Sequence, residues 1–207
     1  MNRIILLGGG GHCKVVIDNL QISGKNIVGI LDDNPEFAGS DILGCKIIGG
    51  MERLSEIRVK TDYAVIAVTD PRTREKLAQK CIEAGLEMTG FIHPSAVISD
   101  SATISSTAQI CAGTIINPLA RIEENVIINT QALIEHDCLI GSFSHIAPSA
   151  SLLGNVKVGA LTMIGASTVV NPNLRIGSSV VVGAGSVVVS NLEDRSNYRG
   201  VPAKRTK

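Results

Sequence analysis

From Ile98 to Val188, a branched aliphatic residue returns at every sixth position through sixteen consecutive repeats: Ile98, Ile104, Ile110, Ile116, Ile122, Ile128, Ile134, Ile140, Ile146, Leu152, Val158, Ile164, Val170, Ile176, Val182 and Val188. A period of six matches neither the 3.6 of a helix nor the 2 of a simple strand, so the segment is a repeat architecture in which six residues form one side of a coil. Four residues after each aliphatic comes a second inward slot, mostly small, as in Ala102, Ala108, Thr114, Ala120, Ala132, Cys138, Ser144 and Ala150. One large and one small inward residue per side fill a narrow triangular prism, with branched residues stacking on like residues one coil away. Three sides of six give a coil of 18 residues.

Before Ile92 the six-residue rule is absent and strands alternate with helices. Ile4 to Leu7 reads as a buried strand, Gly8 to Gly11 as a turn, and Lys14 to Leu20 as a helix. A second strand, Asn26 to Leu31, ends at Asp32 and Asp33 before the breaker pair Asn34-Pro35. Leu54 falls in a short helix, Tyr63 to Val68 makes another strand, and Arg72 to Ala84 a helix that stops at Gly85. The expected fold is therefore α/β plus all-β: a small Rossmann-like domain with a parallel sheet over residues 1–91, then the repeat coil over 92–207.

Composition narrows the partners. The 19 basic and 19 acidic residues cancel, which argues against a nucleic-acid or membrane-surface partner. Aromatic residues are scarce and Trp is absent, so base-stacking platforms are not expected. Five widely spaced cysteines without a CxxC pair read as reduced intracellular thiols. The apolar run Ile4 to Leu7 is too short for a signal peptide, and the expectation is a cytoplasmic chain.

The run Gly8-Gly9-Gly10-Gly11 lies where a strand hands over to a helix, so backbone N–H groups, notably of Gly10 and Gly11, can face an anionic ligand such as a diphosphate. Against the dinucleotide fingerprint, Gly8 and Gly10 fit, but Cys13 stands at the third glycine position and the domain is too short for two mononucleotide halves. A full NAD site is not expected. Asp32 and Asp33 end the second strand, where a carboxylate either accepts hydrogen bonds from a ribose or base N–H, or merely closes a turn. His12 and Lys14 stand at the mouth of the glycine turn, placed for phosphate or sugar, or simply solvated.

Of the four histidines, His93 sits in the junction His93-Pro94-Ser95-Ala96 and reads as structural. His136 falls two places after Ile134 and so points outward, flanked by Glu135 and Asp137. A neighbouring carboxylate fixes the tautomer of an imidazole and stabilises the imidazolium, as a general base requires. Counting on by 18 puts Gly154 over His136, which leaves room above the ring for a reacting group, although a corner glycine also has conformational uses. The same count stacks Pro148, Ala166 and Ala184 into a column of small residues, either a wall for a long thin ligand or ordinary solenoid surface. His136 and His145 are nine residues apart, half a circuit, which at strand rise separates them by more than about 10 Å within one chain. If both serve one site, it lies between chains, and three prisms around a three-fold axis would create three such clefts. Two unrelated surface histidines are the competing reading.

The segments IILLGGGGHCKVVID, LDDNP, HPSA, NTQALIEHDCLIGSFSHI and YRGVPAK, together with the unbroken hexapeptide repeats, resemble bacterial sugar acetyltransferases that pair a small nucleotide-sugar domain with a left-handed parallel β-helix. The likeness spans essentially the whole chain and is strongest to the UDP-4-amino-sugar N-acetyltransferases of bacillosamine-type pathways and their sialic acid O-acetyltransferase relatives. The repeats alone mark only the acyltransferase superfamily; the GGGGH start with the EHD and SHI segments is more specific.

The resemblance implies the following roles. His136 is the general base, with Asp137 as its acidic partner in preference to Glu135. Asn129 contacts the sugar and His145 the acetyl-CoA, whose pantetheine runs along main-chain groups near Gly154, Ala166 and Ala184. Gly10, Gly11, His12 and Lys14 fall at the sugar-nucleotide site, with Asp32 and Asp33 at base or ribose. Cys13, where relatives often carry glycine or alanine, departs from the pattern at the phosphate turn. The expected reaction is direct acetyl transfer to the amine of a nucleotide-linked amino sugar of the UDP-4-amino-4,6-dideoxy type, by a homotrimer with intersubunit sites and without a metal. Alternatives are a GDP-amino-sugar (perosamine) acceptor, O-acetylation of sialic acid or another sugar, and a non-enzymatic trimeric nucleotide sensor. A zinc hydratase is weaker, because the coil offers only His136 and His145 where catalytic zinc usually takes three ligands. Cys138, in the inward slot, is expected to be buried and inert.

Overall fold

A computed structural model describes residues 3–206 and resolves them into two compact units, one within Met1–Gly90 and one within Phe91–Lys207.

In the first unit, β1 (Arg3–Leu7), α1 (Gly11–Ile22) and β2 (Asn26–Leu31) follow one another, then β3 (Asp41–Ile42) and β4 (Cys45–Gly49), α2 (Leu54–Ile57), β5 (Tyr63–Ile66) and α3 (Pro71–Glu83). The strand order is β3-β4-β2-β1-β5, with every pair parallel except β3 and β4. The chain moves outward from β1 to β2 and β4, then returns to the other side of β1 at β5. That reversal creates a crevice at the carboxyl ends of β1 and β5, where α/β sheets bind ligands and where the glycine run begins. The inner faces of β1 and α1 supply much of the core: Ile4 to Leu7, Cys13, Val16, Ile17 and Leu20 are all buried.

The β3–β4 hairpin is absent from the sequence expectation. Its two-residue loop is Leu43-Gly44, with φ of 50° and 81°, between the pairs Ile42–Cys45 and Asp41–Lys46. Such loops need positive φ at both positions and usually announce themselves as Asn-Gly. Leucine at the first position hid this one. Helix α1 also starts earlier than expected, at Gly11 with Gly10 as its cap, so the helix opens inside the glycine run.

The second unit is a left-handed β-helix with three parallel faces. The first face stacks Phe91–Ile92, Gln109–Ile110, Ile127–Ile128, His145–Ile146, Met163–Ile164 and Val181–Val182; the second runs from Val97–Ile98 through Leu133–Ile134 to Val187–Val188; the third from Thr103–Ile104 through Leu139–Ile140 to Arg175–Ile176. Partners across every rung are 18 residues apart, as in Ile116–Ile134 and Ile134–Leu152. The aliphatic slots are buried from Ile110 onward, while Ile98 and Ile104 at the coil's beginning are half-buried.

Buried hydroxyls in the small slots close onto the main chain: Ser144 Oγ donates to the Gly159 carbonyl at 2.8 Å and Thr162 Oγ1 to the Gly177 carbonyl at 2.8 Å. Polar residues are thus admitted to the prism because their hydrogen bonds are satisfied there. From Gly113 to Gly185, each corner has one residue in the left-handed region. Leu119, Asn125, Gln131, Asp137, Phe143, Ser149 and Asn155 recur every six residues with φ between 53° and 62°. At the far end, Asn197–Arg199 pairs with Val181–Val182 and Lys204–Thr206 folds back antiparallel upon it, covering what would otherwise be an open sheet edge.

Candidate active site

His136 occupies the corner where the chain leaves the second face for the third. Its side chain is 59% exposed, and its Nδ1 lies 2.8 Å from Asp137 Oδ2. Glu135 is engaged differently: its Oε2 accepts the backbone N–H of His136 at 3.3 Å. The geometry therefore selects Asp137 as the ring's partner. A neutral imidazole that donates Nδ1–H to a carboxylate keeps its Nε2 lone pair for a proton. Asp137 itself sits at φ 62°, a conformation that Asp and Asn tolerate better than most residues, so its backbone and its carboxylate serve the corner together.

Gly154 stacks on this corner as the 18-residue count requires, but it does not leave the space above the ring open. A Cβ at Gly154 would lie 2.6 Å from both Cε1 and Nε2 of His136. The imidazole has folded over the glycine and fills the volume a side chain would take. Gly154 is a seat for the ring, a correction to the expectation of a vacant slot. The reacting group must approach from elsewhere, and a cavity of about 440 Å³ beside Asp137, bordered by Arg121, Asn155 and Lys157, opens on the third-face side of the same corner.

Cys138, next in sequence, is buried, and its Sγ donates to the Leu153 carbonyl at 3.3 Å. Burial pushes its thiol up to about 11, so almost no thiolate forms at neutral pH.

His145 stands elsewhere in the circuit, on the first face between Ile127 and Met163. It is buried, and its Nε2 lies 3.1 Å from Asn129 Nδ2. The two residues expected at different ligands, Asn129 and His145, are thus partners of each other. The column Pro148, Ala166 and Ala184 forms the corner between the first and second faces, joined by Ser167 N–H to the Pro148 carbonyl at 2.9 Å and Gly185 N–H to the Ala166 carbonyl at 2.8 Å. Within one chain, Ala166 and Ala184 therefore lie on a different corner from Gly154 and His136.

In the first unit, Gly8 has φ 106°, and a Cβ there would strike Val68 Cγ2 at 2.5 Å. Gly10 and Gly11 have open space where a side chain would be, so a ligand can approach their backbone closely. A cavity of about 410 Å³ is bordered by Gly9, Gly10, Gly11, Lys14, Ser40 and Asp41. His12 is half-buried in the first turn of α1. Cys13 is buried in the same turn with its thiol pushed up to about 12, chiefly by burial, and packs into the core instead of lining the turn.

Asp32 closes a turn by accepting the N–H of Asn34 at 2.8 Å and ties it to the glycine run through the N–H of Gly9 at 2.6 Å, whereas Asp33 links to a distant loop by accepting the N–H of Met51 at 2.6 Å. They also border a second cavity of about 540 Å³ with Gly49, Gly50 and Glu52. The Gly49–Glu52 loop is a part of this wall that the sequence reading missed; the glycine pair after an apolar run was the available signal. Buried Arg74 braces the loop after β5 by donating to the Thr69 carbonyl at 2.5 Å.

Among the described residues, no three His, Cys, Asp or Glu side chains cluster as a metal site would require, all five cysteines are buried and free, and no helix is long and apolar enough to cross a membrane.

Comparison with known proteins gives concordant likenesses. Residues 3–81 match the family described as the PglD N-terminal domain. The structure of PerB from Caulobacter crescentus, in complex with CoA and GDP-perosamine, is 36% identical, superposes with a TM-score of 0.95, and covers 100% of this chain and 98% of that one. The acetyltransferase domain of PglB from Neisseria gonorrhoeae, in complex with acetyl coenzyme A, is 31% identical with a TM-score of 0.92 over 99% of each chain. The GDP-perosamine N-acetyltransferase of Escherichia coli O157:H7 is 27% identical over 163 residues, 76% of this chain and 73% of that protein.

Proposed function

Because this chain belongs to the hexapeptide-repeat sugar N-acetyltransferases, we propose that it transfers the acetyl group of acetyl-CoA to the amine of a nucleotide-linked amino sugar, with a GDP-linked sugar of the perosamine kind as acceptor. The observation that carries the reading is the exposed His136–Asp137 pair, in which the carboxylate holds Nδ1 and leaves the Nε2 lone pair for a proton. The GDP-linked acceptor is favoured over a UDP-linked one by the two GDP-perosamine relatives.

In this mechanism the neutral sugar amine attacks the thioester carbonyl carbon, forming the C–N bond while the carbonyl electrons move to oxygen. His136 Nε2 takes the proton from the attacking nitrogen. Asp137, already bonded to Nδ1, stabilises the imidazolium that results. The tetrahedral species then collapses, the C–S bond breaks with its electron pair on sulfur, and the CoA thiolate recovers the proton from the imidazolium. No acyl-enzyme is needed, and Cys138 is too deeply buried and too weakly acidic to form one.

The nucleotide is assigned to the first unit. The open backbone at Gly10 and Gly11, the helix N-terminus behind it and Lys14 suit a diphosphate, with Asp32 and Asp33 offering their remaining lone pairs to base or ribose. Acetyl-CoA is assigned to the coil, along the Ala166–Ala184 corner with His145. Because that corner and the His136 corner are different edges of one prism, a site using both takes one edge from each of two chains. A closed three-fold trimer supplies three such sites. The chain's place of action is assigned to the cytoplasm.

The test is thiol release from acetyl-CoA in the presence of GDP-perosamine, the UDP-linked 4-amino sugar, and sialic acid, with the product identified by mass spectrometry. N-acetylated GDP-perosamine with the highest kcat/KM is expected. A stronger UDP-sugar reaction would overturn the carrier, and O-acetylated sialic acid the acceptor class. Silence across the panel, with nucleotide still bound, would favour the sensor.

A further inference from the structure

His136 and His145 are each held by a polar neighbour, but through opposite ring nitrogens. His136 is held at Nδ1 by a carboxylate, which can only accept. His145 is held at Nε2 by the Asn129 side chain at 3.1 Å, and the identity of that amide atom is fixed by a third group. The Thr130 main-chain N–H, necessarily a donor, lies 2.8 Å from the other amide atom, which must therefore be Oδ1. The atom facing His145 is then the NH₂, which only donates. An imidazole nitrogen that receives a hydrogen bond has no proton of its own.

We infer that Asn129 is a positioning residue that locks His145 with its proton on Nδ1, so that both histidines carry the proton on Nδ1 but only His136 keeps its Nε2 lone pair for a base's work. His145 then works as a hydrogen-bond donor through Nδ1–H, and its Nε2 lone pair is already spent on Asn129. The lock is firm because both partners are buried, Asn129 at 9% and His145 at 4% exposure. A proton on Nε2 would set donor against donor where water does not intrude. Asn129 thus reaches the chemistry through His145, instead of standing apart at the sugar.

The assignment of His136 as base rests on the proposed reaction, whereas the tautomer of His145 does not. The experiment is a long-range proton–nitrogen correlation spectrum of the full-length protein labelled with nitrogen-15 histidine, recorded without substrates, with His145→Gln identifying the resonances. A Nδ1–H pattern for His145 is expected in the wild type. In Asn129→Asp, whose carboxylate accepts where the amide donated, the pattern should move to a ring protonated at Nε2, and kcat should fall at least tenfold. A wild-type His145 with its proton on Nε2, or a ring averaging between both forms, would overturn the inference. So would an Asn129→Asp protein that is folded by circular dichroism yet leaves the ring unchanged, since a purely structural asparagine would alter stability but not the tautomer. Because the wild-type spectrum needs neither turnover nor a folded variant at Asn129, an inactive protein would count against the proposed reaction and leave the tautomer result standing.

Discussion

Gly154 lies directly against the imidazole of His136, so close that a Cβ there would come within 2.6 Å of Nε2. The backbone of Gly154 is not in the left-handed region, so alanine fits its conformation, and the colliding atoms belong to an exposed side chain that can swing aside. Gly154→Ala should therefore leave the thermal midpoint within a few degrees of wild type, because surface substitutions usually cost less than about 0.5 kcal/mol. The ring, however, must leave its seat. A fall in kcat of about 10- to 100-fold, equivalent to about 1.4–2.7 kcal/mol in the barrier, is expected alongside an unchanged melting curve. Full activity in a folded Gly154→Ala enzyme would show that the seat is irrelevant.

Removing the proposed base should cost more. His136→Ala is expected to lower kcat by roughly 10²- to 10⁴-fold, the ordinary range for a positioned general base, with little change in the KM for either substrate. Asp137→Asn is the more informative change. Asparagine tolerates φ near 62°, so the corner is kept while the charge that stabilises the imidazolium disappears. A drop of about tenfold or more in kcat is expected for Asp137→Asn and near wild-type activity for Glu135→Gln, whose parent contacts only main chain. Steady-state kinetics with both substrates saturating separates the two, and the opposite ranking would reassign the carboxylate.

How far the chain can be read without coordinates depends on what its period encodes. The six-residue register placed His136 outside and Cys138 inside because inward and outward slots are set by backbone repetition alone. The 18-residue count also brought Gly154 onto the His136 corner, yet it could not say that the ring would turn onto the glycine, since χ angles are not periodic. It missed the Asn129–His145 bond for a related reason. Asn129 stacks in register over Ala147, and its side chain reaches diagonally to a residue 16 positions away. In the first unit, alternating apolar runs revealed β1, β2 and α3, while the β3–β4 hairpin escaped because Leu43 adopts the φ that Asn-Gly would have advertised.

The glycine turn makes a prediction of its own. Asp32 holds the N–H groups of Gly9 and Asn34 at 2.6 and 2.8 Å, so Asp32→Ala leaves two part-buried donors without their acceptor. Unsatisfied groups of this kind cost about 1–3 kcal/mol. The glycine turn should loosen and, if it holds the diphosphate as proposed, the KM for the nucleotide sugar should rise several-fold or more while the KM for acetyl-CoA stays put. Equal effects on both KM values, in an enzyme that remains folded, would sever the link between this turn and the nucleotide.

The buried thiols give the chain a defined alkaline limit. Burial pushes Cys138 and Cys81 from the ordinary 9.0 up to about 11, and Cys13 and Cys111 to about 12. A folded-state value above the unfolded one means the native chain keeps protons that the unfolded chain releases. Stability from this source is complete below pH 9 and is lost progressively as pH rises from about 9 toward 12. Denaturant midpoints measured in reducing buffer should hold steady between pH 7 and 8.5 and then decline. In Cys111→Ala the decline should be shallower, because one buried thiol no longer resists ionisation. At pH 8 a thiol near 11 is only about one part in a thousand thiolate, so alkylation of the native protein should be far slower than in guanidinium. Rapid native alkylation at Cys138, together with loss of activity in Cys138→Ala, would instead restore that cysteine as a candidate acyl carrier.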